Sequence, residues 1–213
     1  MILSVKTGKA QQIITDRPDQ TEASSTVPKG SLQIESGILF NFSETTLTKE
    51  RQILTPTTLF RYGLIKGVEI RILNQFESYK NQMTSTIING ISDLEVGTKI
   101  QLLKKENVNT EIAFLSHLVM PTGTSSFSIN NFGTINKLSI SHQLNSKVGV
   151  GYNIGYNYFG VGEGDVTYSL AIGVEVNNRV SFFIEPYGEI LNLKNHLSYF
   201  DAGFTYLVKN NLQ

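Results

Sequence analysis

Val148-Gly149-Val150-Gly151-Tyr152-Asn153-Ile154-Gly155-Tyr156-Asn157-Tyr158 puts an apolar or aromatic residue at every even number and a Gly or Asn at every odd one. Residues that alternate in this way project to opposite faces of an extended strand, one apolar and one small and polar. The next stretch repeats the rule, with Val166, Tyr168, Leu170, Ile172, Val174 and Val176 set against Thr167, Ser169, Ala171, Gly173 and Glu175. Working outward, the same parity runs through Leu32, Ile34, Ile38, Phe40 and Phe42, and through Val68, Ile70, Ile72 and Phe76. It returns in Leu94, Val96, Ile100 and Leu102, and in Phe200, Phe204, Tyr206 and Val208. With the less regular cases, the pattern predicts ten strands, at 31–42, 53–63, 67–77, 92–103, 109–120, 132–144, 147–158, 165–176, 179–190 and 198–208. No stretch carries a 3.6-residue period, so the class is all-β.

The connections narrow the architecture. Those after the second, fourth, sixth and eighth strands are short (64–66, 104–108, 145–146, 177–178). Those after the first, third, fifth, seventh and ninth are generally longer (43–52, 78–91, 121–131, 159–164, 191–197). Outer-membrane barrels segregate tight periplasmic turns from long extracellular loops in this way. Strands of this length also match the roughly 9–11 residues that cross a bilayer at a tilt. The expected fold is an antiparallel up-and-down transmembrane β-barrel.

Composition excludes several classes. The 213 residues carry 18 Lys+Arg and 18 Asp+Glu, a net charge of zero, which argues against nucleic acid as a partner. There is no Cys, hence no disulfide scaffold, thiolate zinc site or Cys nucleophile. No apolar run approaches the 18 residues of a membrane helix, which leaves a barrel open. Apolar residues at 40% and charged ones at 17% are both low for a globular domain, for which about 45–50% and about 25% are usual.

Periodicity alone leaves two orientations. An apolar face turned inward would make a soluble, calycin-like ligand carrier; turned outward, it meets lipid around a polar lumen. The even face has almost no formal charge. The odd face mixes both signs: Glu35, Arg61, Glu69, Arg71, Asp93, Glu95, Lys99, Glu111, Lys137, Glu175, Glu185, Glu189 and Asp201. Aromatics such as Phe40, Phe42, Tyr62, Tyr156, Tyr158 and Phe200 gather toward strand ends, where an interfacial girdle belongs. The three observations favour lipid.

Ahead of the strands, residues 1–12 read as the end of a signal peptide or as a disordered tail. Residues 13–30, broken by Pro18 and Pro28, read as irregular chain. Its charged part, with Asp16, Arg17, Asp19 and Glu22, would either fold into the lumen as a plug or remain a solvated periplasmic tail. The candidate lumen charge cluster is Glu35, Arg61, Glu69, Arg71, Asp93, Glu95 and Lys99. Arg61 and Glu69 are equidistant from Ile65 and should lie nearly opposite across a tight turn. They would act as a selectivity cluster or as a salt bridge neutralising charge in a narrow barrel. Nine acids against four bases on the odd face predict a slightly cation-preferring interior.

Catalysis finds little support. His117 falls on the odd face, His142 on the even face and His196 in a loop, without metal-ligand spacing or a nucleophile partner. The Gly-rich stretches lack a following helix, so they do not make a phosphate loop. No cofactor, metal or catalytic residue is expected. Pro56 and Pro186 fall within strands, where each should cause a bulge or local irregularity.

Asp16-Arg17-Pro18-Asp19-Gln20-Thr21-Glu22 and Gly30-Ser31-Leu32-Gln33-Ile34-Glu35-Ser36-Gly37 resemble the opening of the MetA-pathway of phenol degradation proteins, often labelled transporters in Bacteroidota-like bacteria. Phe60-Arg61-Tyr62-Gly63-Leu64 with Val68-Glu69-Ile70-Arg71, Gly90-Ile91-Ser92-Asp93-Leu94 with Gly97-Thr98-Lys99, Pro121-Thr122-Gly123 and Gly151-Tyr152-Asn153-Ile154-Gly155 extend the resemblance over about residues 13 to 213. It implies a bacterial outer-membrane barrel, porin-like, with its N-terminus periplasmic, inserted with the barrel-assembly machinery and surrounded by the lipid bilayer. The implied partner is a small-molecule solute of unknown identity. Chains of this kind usually carry another hairpin beyond the position of Gln213, giving twelve strands. The functional expectation is a passive channel or transporter-like barrel; the alternatives are a structural or surface-interaction barrel with a filled lumen, and the soluble carrier.

Overall fold

The computed structural model describes residues 13–17, 19–45, 48–105 and 108–213. The readings of residues 1–12 and of Pro18 lie outside these. One antiparallel sheet contains β1 (Leu32–Glu44), β2 (Lys49–Ile65), β3 (Val68–Asn81), β4 (Ile87–Ile91), β5 (Leu94–Lys104), β6 (Thr110–Met120), β7 (Gly133–Gln143), β8 (Val148–Tyr158), β9 (Asp165–Asn177), β10 (Val180–Leu191) and β11 (Asn195–Tyr206). The sheet order is β1-β2-β3-β5-β6-β7-β8-β9-β10-β11, an up-and-down path, with β4 beside β3. Among the described residues no ladder joins β1 to β11, so the barrel is open along that seam.

Eleven strands stand where the alternation predicts ten. The additional one, β4, lies inside the predicted loop 78–91. It pairs with the end of β3 (Phe76↔Ile91), while β5 pairs with its beginning (Leu73↔Glu95). β4 and β5 therefore form one path interrupted at Ser92-Asp93, with the register shifted by one. A one-residue slip exchanges the two faces. In β4 the odd residues Ile87 and Ile91 are exposed and the even Gly90 is buried. A single-parity reading passes over such a strand. The predicted loops 43–52 and 191–197 also shrink, because β1 and β2 run to Glu44 and from Lys49, and β10 and β11 run to Leu191 and from Asn195.

Outside β4 and the part of β2 before Pro56, parity assigns the faces along most of each strand. The even residues Leu32, Phe42, Ile154, Val176, Phe182 and Phe204 are large, apolar and exposed. The odd face is covered, and its largest fully buried side chains include Arg61, Arg71, Lys99, Glu69 and Glu185. An apolar exterior around a buried charged interior is the inverse of a soluble barrel and the arrangement of a transmembrane one; the calycin-like alternative falls on this point. Not every aromatic lies at a strand end: Phe200 sits midway along β11, opposite Pro186. At Pro56 the register shifts against both neighbours of β2. At Pro186 it does not shift; pairing with β9 merely lapses between Ile184 and Tyr187.

Candidate functional site

The buried odd face encloses the N-terminal segment 13–30. The segment enters at the end of the short turns, where Ile13 N donates to Asn210 O (3.0 Å). It leaves at the same end, where Gly30 N donates to Gly63 O (2.7 Å). Gly63 is required there, because a Cβ would overlap the Val27 and Pro28 carbonyls. Between these points the chain crosses the interior and contacts opposite walls. Its partners Lys99, Asn153 and Glu185 all lie near the middles of their strands.

On the β2–β5 wall the contact is ionic. The Asp16 carboxylate sits between Arg61 (3.1 Å), Lys99 (2.7 Å) and Arg71. Glu22 reaches Arg71 (2.8 Å) and Lys99 (3.3 Å). Arg61 is completed by Glu35 (2.9 Å) and Glu69 (2.9 Å), and Arg71 also meets Glu69 (2.8 Å). Backbone groups join in: Val27 N donates to Glu69 (2.7 Å), Asp16 N donates to Glu35 (3.0 Å), and Ser25 O accepts from Arg61 (3.1 Å). Burial alone would raise the Asp16 carboxyl; Lys99, Arg61 and Arg71 outweigh it and hold it well below the usual range.

Arg61 and Glu69 do not face each other as the turn symmetry predicts. A bulge between Gly63 and Ile65 moves the register, so that Arg61 opposes Arg71 and Glu69 opposes Gly63. Like charges placed directly opposite repel. Glu69, diagonal to Arg61, and Asp16, brought in from the segment, separate the two guanidiniums. The cluster is therefore incomplete without residue 16.

Glu95 joins the cluster through His117, a residue that spacing alone does not single out. His117 Nδ1 lies 2.9 Å from the Glu95 carboxylate, and Arg71 Nε donates to His117 Nε2 (3.0 Å). The guanidinium is only a donor, so Nε2 accepts and Nδ1 carries the proton toward Glu95. Gly97 makes room for this ring, since a Cβ there would overlap it.

Asp93 does not belong with the others, a correction to the predicted cluster. It lies in the break between β4 and β5, at the end with the long loops, and accepts from Gly123 N (2.8 Å) and Ile129 N (2.9 Å). Burial pushes its pKa up, but the Gly123 and Ile129 amides prevail and hold it below the usual carboxylate value. Asp93 is the clasp of loop 121–132.

On the opposite wall the contact is neutral on the segment's side. Glu185, fully buried, accepts from Gln20 N (2.7 Å) and from the Thr21 hydroxyl, which also reaches Ser169 (2.7 Å). Asn153 exchanges hydrogen bonds with the Glu22 backbone, accepting at 2.7 Å and donating at 3.1 Å. Glu185 faces Asp201 directly across β10 and β11. Asp19 lies in the same region, and burial followed by the charge of Glu185 pushes its carboxyl up to about 7. The Arg17 guanidinium donates to the hydroxyl and the carbonyl of Thr57 and forms no ion pair among the described residues. Glu185, Asn153 and Ser169 are legible from parity as interior residues. Their meeting with residues 20–22 is a long-range pairing that no spacing encodes.

The segment separates two cavities. One, of about 940 Å³, opens toward the short-turn end among Lys66, Gln101, Glu111 and Gln143. The other, of about 720 Å³, extends from Arg17, Thr57 and Lys137 to the seam between β1 and β11. Thr15, Asp19 and Glu22 line both. The remaining histidines have local partners: His142 lies beside Thr110 (2.8 Å) and Tyr152 (3.1 Å), and His196 beside Tyr168 and Ser198.

Residues 15–213 match the sequence model of the family described as "Putative MetA-pathway of phenol degradation". Among solved structures, the chain is similar to the outer membrane channel DcaP of Acinetobacter baumannii, with a TM-score of 0.38 and 10% identity. The match covers 90% of this chain and 66% of the channel, so the chain spans about two thirds of that protein's length. No curated protein matches the sequence.

Proposed function

The chain belongs to the MetA-pathway of phenol degradation family, and from that premise we propose that it is a bacterial outer-membrane β-barrel through which small solutes pass without catalysis. The observation that carries this reading is the division of faces: exposed Leu, Ile, Val and Phe outside, buried Arg, Lys, Glu and Asp within. Charged side chains are costly against lipid and serviceable only where they line a polar interior. The short-turn end is the periplasmic one, and the N-terminal segment enters from it.

Residues 13–30 act as an internal plug. They cross the lumen at mid-strand and divide its space into two cavities. The cluster of Glu35, Arg61, Glu69, Arg71 and Lys99 anchors that plug, since each of its bases is already held by a carboxylate. Passage then requires the segment to shift, or follows the space beside it. The second reading, a structural barrel with a filled lumen, draws on the same hydrogen bonds from the segment to both walls. Conductance separates them. Recovery in detergent rather than buffer, with single-channel currents in a planar bilayer, is the expected result; recovery in the aqueous fraction, or a folded barrel that passes no current, counts against the proposal.

A further inference from the structure

The luminal bases differ in how their charge is met. Arg61, Arg71 and Lys99 each lie within 3.1 Å of at least one carboxylate. Arg17 and Lys137, both half-buried, line the cavity of about 720 Å³, and neither forms an ion pair among the described residues. The Lys137 ammonium has no hydrogen-bond partner among the described residues. Burial lowers the Arg17 pKa although Glu35, Glu22 and Glu95 attract it from a distance. A cation withdrawn from bulk water without a counter-charge in contact is costly, so the cavity keeps an electrostatic demand.

The excess of acids does not meet that demand. Asp16, Glu22 and Glu35, which also line the cavity, are bound to Arg61, Arg71 and Lys99. Glu95 is bound to His117, and Glu185 to Gln20 and Thr21. Asp19 is the remaining acid lining the cavity, and near pH 6 its raised pKa keeps it mostly protonated. Leu54, paired with Glu77 on β3, is an apolar residue of the lining.

We propose that this cavity is a binding site for a small organic anion bearing a carboxylate, with Arg17 and Lys137 holding that carboxylate. Arg17 offers a planar fork suited to two carboxylate oxygens and Lys137 a mobile point charge. Thr57, already holding Arg17, orients the guanidinium. The site deepens the passage reading by naming a solute class, and rests on that reading only for its role in transport.

The test uses the full chain in detergent, with butyrate as probe and butylammonium and 1-butanol as controls, read by saturation-transfer NMR. Heat-modifiable gel mobility verifies that each variant is folded. Butyrate should bind, the two controls should bind at least about tenfold more weakly, and Lys137→Gln should weaken butyrate about tenfold while Lys137→Arg restores it. Arg17→Gln should weaken it similarly. Absence of butyrate binding to the folded wild type, equal binding of butylammonium, or indifference to Lys137→Gln overturns the site. Current without butyrate binding defeats the site and leaves the passage intact; butyrate binding without current does the reverse.

Discussion

The two walls of the lumen hold the same segment by different chemistry. On the β2–β5 wall, Asp16 and Glu22 enter a buried network of Arg61, Arg71 and Lys99, where Asp16 joins Glu69 between the directly opposed Arg61 and Arg71. On the β9–β10 wall, Glu185 and Ser169 meet backbone N–H and hydroxyl groups of Gln20 and Thr21. Removing one partner from a buried ion network strands the others, at about 3–5 kcal/mol, whereas a hydrogen bond to a charged group has a net value of about 1.5–3 kcal/mol. The first wall fixes the segment, and the second sets its course across the lumen.

The largest expected effect is therefore at residue 16. Asp16→Ala should release the segment and cost about 3–5 kcal/mol of docking free energy, read as new protease cleavage between residues 13 and 30 in an otherwise folded barrel. If cleavage is unchanged, the ionic wall is not the anchor. Glu185→Gln should be much milder, within about 1 kcal/mol, because the amide oxygen still accepts from Gln20 N and the amide NH2 can donate to the Thr21 hydroxyl, which turns its own proton to Ser169, while the opposition to Asp201 is relieved. Equal sensitivity of the two variants would erase the distinction between the walls.

Acidity should separate the same two regions in opposite directions. A carboxyl held below its free value stabilises docking above that value, and the gain is lost as pH falls; Asp16 should therefore release the segment only in acid, below about pH 4. A carboxyl raised from 3.8 to about 7 has the other sign: its penalty grows as pH rises between those values and is complete above about 7. Asp19 is faced by Glu185 from β10, Asp201 from β11 and Asp16 from its own segment. Hydrogen exchange at the Gln20 amide, corrected for intrinsic rate, should be faster at pH 8 than at pH 5, while the Val27 amide is unaffected. A smaller effect is expected far from both walls: Asp93→Ala should expose loop 121–132 to protease and leave the segment protected.

The contrast between the walls also marks what the sequence conveys. Alternation locates the main strands and assigns Arg61, Glu69, Lys99 and Glu185 to one face, because side-chain direction in a strand is a local property. It misses β4, where a one-residue slip reverses the parity, and it groups Asp93 with the cluster because parity gives the face of a residue and not its height along the barrel. Turn symmetry sets Arg61 opposite Glu69 only if the turn is regular; the bulge at Gly63 and Ile65 turns that pair into a diagonal. The role of Asp16 and the link from Glu95 through His117 to Arg71 depend on how the sheet curls around the segment. Those contacts join residues far apart in sequence, and no local pattern holds them.

The central claim is that residues 13–30 occupy the lumen and limit passage. Single-channel conductance of the intact chain, set against a variant lacking residues 13–28 whose heat-modifiable mobility shows a folded barrel, tests it most directly. A several-fold rise in conductance on deletion is the predicted result. Unchanged conductance in the folded deletion variant would contradict it.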